Sequence, residues 1–71
     1  STVAIGTPTE TRHVVGSTGV WRRNYTAGTT LVNPTTQARS IDVGPGYYRL
    51  NGRRVTSVNV PALSGVILRR S

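Results

Sequence analysis

Hydrophobic and polar residues alternate along short runs of the chain that are rich in Val, Ile, Thr and Tyr. Each run ends at Gly, Pro, Asn or a similar turn former, and no window keeps an uninterrupted helical spacing of apolar residues. The pattern predicts strands over residues 12–15, 20–25, 29–33, 39–43, 47–50, 53–60 and 65–70. Because successive strands begin about eight to ten residues apart, we expect an all-β fold, a small antiparallel β-sandwich or partly open barrel of about six to seven strands.

Turn-forming residues separate the predicted strands. Asn51-Gly52 stands between two of them and predicts a hairpin with a two-residue turn, because Asn and Gly tolerate positive φ. The sequence Gly-Pro-Gly at 44–46 predicts a second turn, since Pro fixes its φ and both neighbours are permissive. Pro34 cannot donate to a ladder, so Asn33-Pro34 ends a strand there.

The chain divides into two segments. Residues 1–11 are rich in Thr with Gly6 and Pro8 among them, and are expected to form an extended arm or linker that packs across another part of a larger protein. Residues 12–71 are expected to form a single all-β domain. The longest apolar stretch, residues 65–68, is far below the roughly 20 residues of a membrane-spanning helix, so no membrane partner is predicted.

The alternation assigns faces to each strand. In residues 20–25, Trp21, Arg23 and Tyr25 share one side, and we expect Trp21 to be buried. Tyr48 is expected to join it in the core and Tyr47 to be exposed for contact. The predicted core consists of Val14, Trp21, Leu31, Ile41, Val43, Tyr48, Leu50, Val55, Val58, Val60, Val66 and Leu68.

Length and composition limit the kinds of metal site, disulfide and catalytic site that this chain can form. A chain of 71 residues without cysteine has neither disulfides nor a cysteine-based metal site, and we predict no metal and no cofactor. Its only histidine is His13 and its only carboxylates are Glu10 and Asp42, which make a poor pair for acid–base or nucleophilic catalysis. We therefore expect no catalytic residue, and no enzymatic activity from this chain alone.

The net charge of +7 comes entirely from arginine, with nine Arg and no Lys. Arginine suits phosphate and carboxylate partners, so binding of nucleic acid is one hypothesis. Its candidate residues are Arg22, Arg23, Arg49, Arg53 and Arg54. No run of arginines exceeds two, however, and adjacent residues of a strand point to opposite faces, which divides each pair between two surfaces.

One combination of segments resembles a known family. The segments cover residues 20–25, 28–35, 46–52, 58–61 and 65–68, and the sequence Leu-Val-Asn-Pro-Thr at 31–35 is the most distinctive of them. Together they resemble the C-terminal all-β domain that follows the (β/α)₈ barrel in many glycoside hydrolases and hydrolase-like proteins. The resemblance covers about residues 4–70.

The resemblance implies a non-catalytic domain, because the catalytic carboxylates of such enzymes lie on the barrel. The positions that match the family pattern would then define the fold, and they are Trp21, Arg23, Asn33, Pro34, Gly52 and Gly65. The expected partner is the preceding barrel domain or another acidic protein surface. The resemblance does not account for the excess of arginine.

Three hypotheses about function follow. The first is an accessory domain of a glycoside-hydrolase-like protein, which stabilises the enzyme and contacts polysaccharide through Trp21, Tyr47 or Tyr48. The second is a small basic barrel that binds nucleic acid through the arginines named above. The third is an oligomer-forming structural fragment whose exposed sheet edges pair with another copy.

Overall fold

A computed structural model describes residues 5–71, which form six strands and no α-helix. The strands are β1 (His13–Val14), β2 (Trp21–Tyr25), β3 (Gly28–Asn33), β4 (Arg39–Tyr48), β5 (Arg54–Val60) and β6 (Ser64–Arg69). They lie in one antiparallel sheet in the order β1-β2-β3-β6-β4-β5, and the sheet curls into a half-barrel. The predicted all-β class is confirmed, and of the two architectures considered the partly open barrel is the one observed. Across residues 5–71, no helix has the length and apolar character needed to span a membrane.

The core lies on the inner face of the curled sheet. It consists of Val20, Leu31, Ile41, Val43, Tyr47, Val58, Val60 and Leu68. Six of these were predicted, and the predicted Val55 and Val66 are partly buried against them. Alternation identified the buried faces of β5 and β6, because Val58 and Val60 on β5 and Val66 and Leu68 on β6 stand two positions apart.

Four residues of the predicted core are not buried in it. Trp21 is 38% exposed and pairs with the exposed Val14 on the outer face, while the neighbouring Val20 is fully buried. Leu50 is exposed in a turn, and Tyr48 is half-buried. The prediction chose the wrong face of β2 because it took the largest aromatic side chain as the buried one.

Strand β4 contains the segment that was predicted to be a turn. Residues 44–46 lie within the strand as a bulge, with the register against β5 shifting between Asp42 and Tyr47. Gly44 and Gly46 have φ of 80° and 92°, and the Gly44 amide donates to Asp42 Oδ1 at 3.0 Å. Pro45 is tolerated because a bulge leaves residues outside the ladder. The alternation of Ile41 and Val43 therefore continues to Tyr47, which faces the core in place of Tyr48.

The β4–β5 hairpin is confirmed, but its turn is longer than predicted. The Gly52 amide donates to the Arg49 carbonyl at 2.9 Å, and the Arg49 amide donates to the Arg53 carbonyl at 2.8 Å. Gly52 has φ of 91°, whereas Asn51 does not have positive φ. The loop is thus the three-residue type that ends in a left-handed glycine. Leu50 lies in this loop, which explains its exposure.

Asn33 joins the ends of two strands from a fully buried position. Its Nδ2 donates to the carbonyls of Gln37 at 2.8 Å and Val60 at 3.0 Å. Its Oδ1 accepts from the amide and the hydroxyl of Thr35 at 3.0 and 2.7 Å. Every donor and acceptor of the side-chain amide is therefore satisfied, and β3 ends at Asn33, as the sequence Asn33-Pro34 predicted.

The part of the predicted arm that the structure describes packs on the chain's own sheet. The amides of Ala27 and Thr26 donate to the carbonyls of Ile5 and Thr7, both at 2.9 Å, and the Thr9 amide donates to Asn24 at 3.0 Å. Ile5 is fully buried. Residues 1–4 of the predicted arm lie outside the described residues. The described part of the arm contacts the β2–β3 hairpin, and packing of the arm across another part of a larger protein stays a prediction.

Candidate ligand-binding face

Strand β2 presents aromatic and basic side chains on the outer face of the sheet. Trp21, Arg23 and Tyr25 alternate with inner residues, as the sequence predicted. Across the ladder, Trp21 pairs with Val32 and Arg23 pairs with Thr30 of β3. Directly opposite residues of an antiparallel pair share a face, so these side chains form one continuous surface.

A cleft of about 230 Å³ lies on this surface. We call it the Trp21 cleft, and its lining residues are Arg12, Trp21, Arg22, Arg23, Tyr25, Thr30 and Val32. Its base is apolar where Val32, itself 51% exposed, meets the indole of Trp21. An exposed tryptophan beside an apolar residue leaves accessible hydrophobic surface that a ligand can cover.

Two arginines stack on the two aromatic rings of the cleft. The guanidinium carbon of Arg12 lies 5.4 Å from the centre of the Trp21 ring, and that of Arg23 lies 5.8 Å from the centre of the Tyr25 ring. Stacking of this kind orients the guanidinium plane and leaves its in-plane N–H groups available to hydrogen-bond acceptors. The cleft thus combines ring surface with oriented donors.

The carboxylate near the cleft, that of Glu10, contacts groups other than the arginines' guanidinium groups. Glu10 Oε2 lies 3.2 Å from His13 Nδ1 and accepts a hydrogen bond from the Asn24 amide at 3.3 Å. Within residues 5–71, no arginine forms an ion pair with a carboxylate. The positive charge of Arg12 and Arg23 is therefore not neutralised by the described part of the chain.

Arg22 lines part of the cleft, but its guanidinium is directed to the inner face of the half-barrel. Its Nε donates to Asn24 Oδ1 and to Thr29 Oγ1, each at 3.1 Å, and its guanidinium lies 5.4 Å from the Tyr47 ring centre. These contacts satisfy the half-buried polar residues of the inner face and explain why β2 can direct Arg22 and Asn24 inward in preference to Trp21.

Tyr47 is buried, so the prediction that it is exposed for contact is wrong. It is 6% exposed, and its hydroxyl accepts a hydrogen bond from Arg70 Nη1 at 3.1 Å. Arg22 and Arg70 both lie over its ring, the latter at 5.1 Å. Tyr47 contributes to closing the half-barrel, and it is not available to a carbohydrate.

The remaining candidate residues lie on β4, on β5 and in the loop between them, away from β2. Tyr48 pairs with Arg54 of β5 and with Arg69 of β6, and is half-buried between them. Arg49 and Arg53 flank the β4–β5 loop. Strands β3, β6 and β4 separate β5 from β2, so the five arginines predicted for nucleic acid do not form one cluster.

Sequence reasoning did not select Arg12 and Tyr25 as site residues. The signal for Tyr25 was present, because the period of two in residues 20–25 places it on the same face as Trp21 and Arg23. Arg12 carried no comparable signal, since its position over Trp21 depends on the pairing of β1 with β2.

No protein family, characterised protein or solved structure matches this chain.

Proposed function

We propose that this chain is a non-catalytic accessory β-domain of a glycoside-hydrolase-like protein, and that it contacts carbohydrate through the Trp21 cleft. The observation that carries this proposal is the exposure of Trp21 on an ordered sheet face beside Tyr25. Aromatic side chains combine a large apolar contact area with few rotatable bonds, so they bind the apolar faces of sugar rings at low entropic cost.

The positions of the acids support a non-catalytic role. Glu10 is bonded to His13 and to the Asn24 amide, and Asp42 accepts from the Gly44 amide in the β4 bulge. Both carboxylates thus serve local structure on separate elements. Chemistry at a glycosidic bond would then be the task of another part of the protein.

The residues that carry the family resemblance support a role in stability. Asn33 is the hydrogen-bonded centre of the β3 end, and Gly52 supplies the left-handed position of the β4–β5 loop. A small, well hydrogen-bonded domain of this kind can stabilise a larger catalytic domain by packing against it. Its unpaired arginines at 49, 53 and 54 would suit an acidic surface of that partner.

Nucleic acid is the rival ligand and is supported less well. Only two of the five arginines predicted for it, Arg22 and Arg23, line the Trp21 cleft. Arg22 is directed to the inner face, and the other three belong to the β4–β5 hairpin. A single-strand binder needs a continuous track of positive charge beside its stacking residues.

Binding to polysaccharides in native gels, with and without Trp21→Ala, tests the proposal. The wild-type chain should be retarded by at least one plant or microbial polysaccharide, and Trp21→Ala should abolish the retardation because it removes the main contact surface. Leu50→Ala is the matched control, since it truncates another exposed apolar residue in the β4–β5 loop. Absence of retardation by every polysaccharide, or equal retardation of Trp21→Ala, would refute the proposal.

A further inference from the structure

The Trp21 cleft carries a charge pattern that a neutral sugar does not require. Arg12, Arg22 and Arg23 contribute to its walls, and none of the seven lining residues is acidic. A cleft that binds only neutral carbohydrate needs hydrogen-bonding side chains but no excess of cations. The uncompensated charge points to an anionic group on the ligand.

The two arginines that lie over aromatic rings of the cleft, Arg12 and Arg23, have N–H groups available for such an anionic group. Arg12 is exposed and makes no hydrogen bond with residues 5–71, so its fork of donors is available above Trp21. Arg23 donates from Nε to the Glu10 carbonyl at 3.0 Å, which fixes its side chain beside Tyr25 and leaves its terminal nitrogens for a ligand. Paired N–H groups of guanidinium match the two oxygens of a carboxylate.

We infer that the Trp21 cleft recognises an acidic polysaccharide, one whose sugar rings carry carboxylate groups, with Arg12 and Arg23 as the residues that select it. This inference rests on the proposed function, because it assumes that the cleft binds carbohydrate. A uronic acid places a planar carboxylate directly on the sugar ring. The ring can then contact Trp21 while the carboxylate meets the adjacent guanidinium.

The same geometry favours a sugar over a nucleic acid. Binding of successive bases requires several open ring faces, but a guanidinium already occupies one face of each of the two aromatic rings in the cleft. A sugar ring needs only one apolar contact next to its charged group. The arginines also lie over the rings rather than along a separate track that a nucleic-acid backbone could follow.

The test compares oligogalacturonate with its methyl ester, which has the same chain but no carboxylate charge, by isothermal titration calorimetry. We expect the acid to bind at least about tenfold more tightly than the ester at low salt, the factor that one charged hydrogen-bonded contact typically provides. The difference should shrink as ionic strength rises, because the exposed charges are screened.

Substitutions of single arginines identify the residue that accounts for the preference for the acid over the ester. Arg12→Gln should weaken binding of the acid about tenfold and leave binding of the ester unchanged, and Arg12→Lys should recover part of the loss. Arg53→Gln removes the same charge from the β4–β5 loop and is the matched control, with an expected change below about twofold. Thermal unfolding of each variant verifies that it is folded.

The outcomes separate the two proposals. Equal binding of acid and ester that disappears in Trp21→Ala would overturn the inference and retain the proposed function. Failure of both oligosaccharides, together with failure of every polysaccharide in the gel experiment, would overturn both. A single-stranded oligonucleotide that binds as tightly as the acid, with the same loss in Arg12→Gln, would also overturn the inference, because the cleft would then be a nucleic-acid site.

Discussion

Individual residues show where side-chain chemistry determines this fold. Asn33 is buried because its amide finds four partners at the junction of β3, the following turn and β5. The sequence indicated this role, since Asn before Pro is a typical turn former. The partner in β5, Val60, could not be predicted, because it lies 27 residues away along the chain.

Replacement of Asn33 by Ala should lower the free energy of unfolding by about 3 kcal/mol, since the buried carbonyl of Val60 and the carbonyl of Gln37 lose their donor and a cavity remains. Urea unfolding followed by tryptophan fluorescence or circular dichroism measures the loss. Asn59→Ala is the control, because Asn59 is exposed on β5, and it should change stability by less than about 0.5 kcal/mol. Equal effects of the two substitutions would contradict the role assigned to Asn33.

Aromatic residues reveal the limit of residue-level prediction. The indole of Trp21 was assigned to the core by size, but the opposite face of β2 is directed inward, where the half-buried Arg22 hydrogen-bonds Asn24 and Thr29. A polar face can be internal when its groups satisfy one another. Such satisfaction depends on residues from other strands, and hydrophobicity along one strand does not reveal it.

At the scale of elements, the strands were predicted well and their connections less so. The β4–β5 hairpin followed from its Asn-Gly sequence, whereas residues 44–46 were taken for a turn although they form a bulge within β4. Gly and Pro are compatible with both structures. Pairing with β5 determines whether residues 44–46 form a turn or a bulge. The local sequence does not reveal that pairing.

The N-terminal segment depends on one glycine of β3. A Cβ at Gly28 would overlap the side chain of Ile5 and the carbonyl oxygen of Leu68. Gly28 thus lets the segment that begins at Ile5 lie directly on the hairpin. The Thr-rich composition of residues 1–11 predicted an extended arm or linker. The burial of Ile5 could not be predicted, because it requires a space that only the folded sheet provides.

Gly28→Ala should displace this segment and lower the free energy of unfolding by about 2–3 kcal/mol, a typical cost of overpacking. Hydrogen exchange gives a local readout, because the amides of Thr26 and Ala27 should lose the protection that Ile5 and Thr7 provide. Gly65→Ala, where the nearest atom to a Cβ is the Leu31 oxygen at 3.2 Å, should cost less and leave both amides protected. Retained protection in Gly28→Ala would show that the segment is not held in this way.

The whole molecule combines a thin core with a strongly basic surface. The short strand β1 and the longer strand β5 form the two edges of the sheet, so pairing of β5 with a second copy remains a prediction. The net charge of +7 opposes such self-association. The same charge favours anionic partners, and the outer face of β2 concentrates it beside exposed aromatic rings.

The predicted division of arginines between two faces can be followed at this scale. Arg22 contributes to the interior and Arg23 to the Trp21 cleft, although they are neighbours in sequence. Strand periodicity was sufficient to predict this separation. It did not predict that Arg12 would join Arg23 on the outer face, because that placement arises from the order of strands in the sheet.

The most direct test of the central claim is a nuclear magnetic resonance titration of the ¹⁵N-labelled chain with oligogalacturonate. The single tryptophan gives one indole N–H signal, which reports on the cleft without ambiguity. We expect saturable shifts of this signal and of the amides of Arg23, Tyr25 and Thr30, with little change in the β4–β5 hairpin. An unmoved indole signal, or shifts confined to Arg49, Arg53 and Arg54, would contradict the central claim.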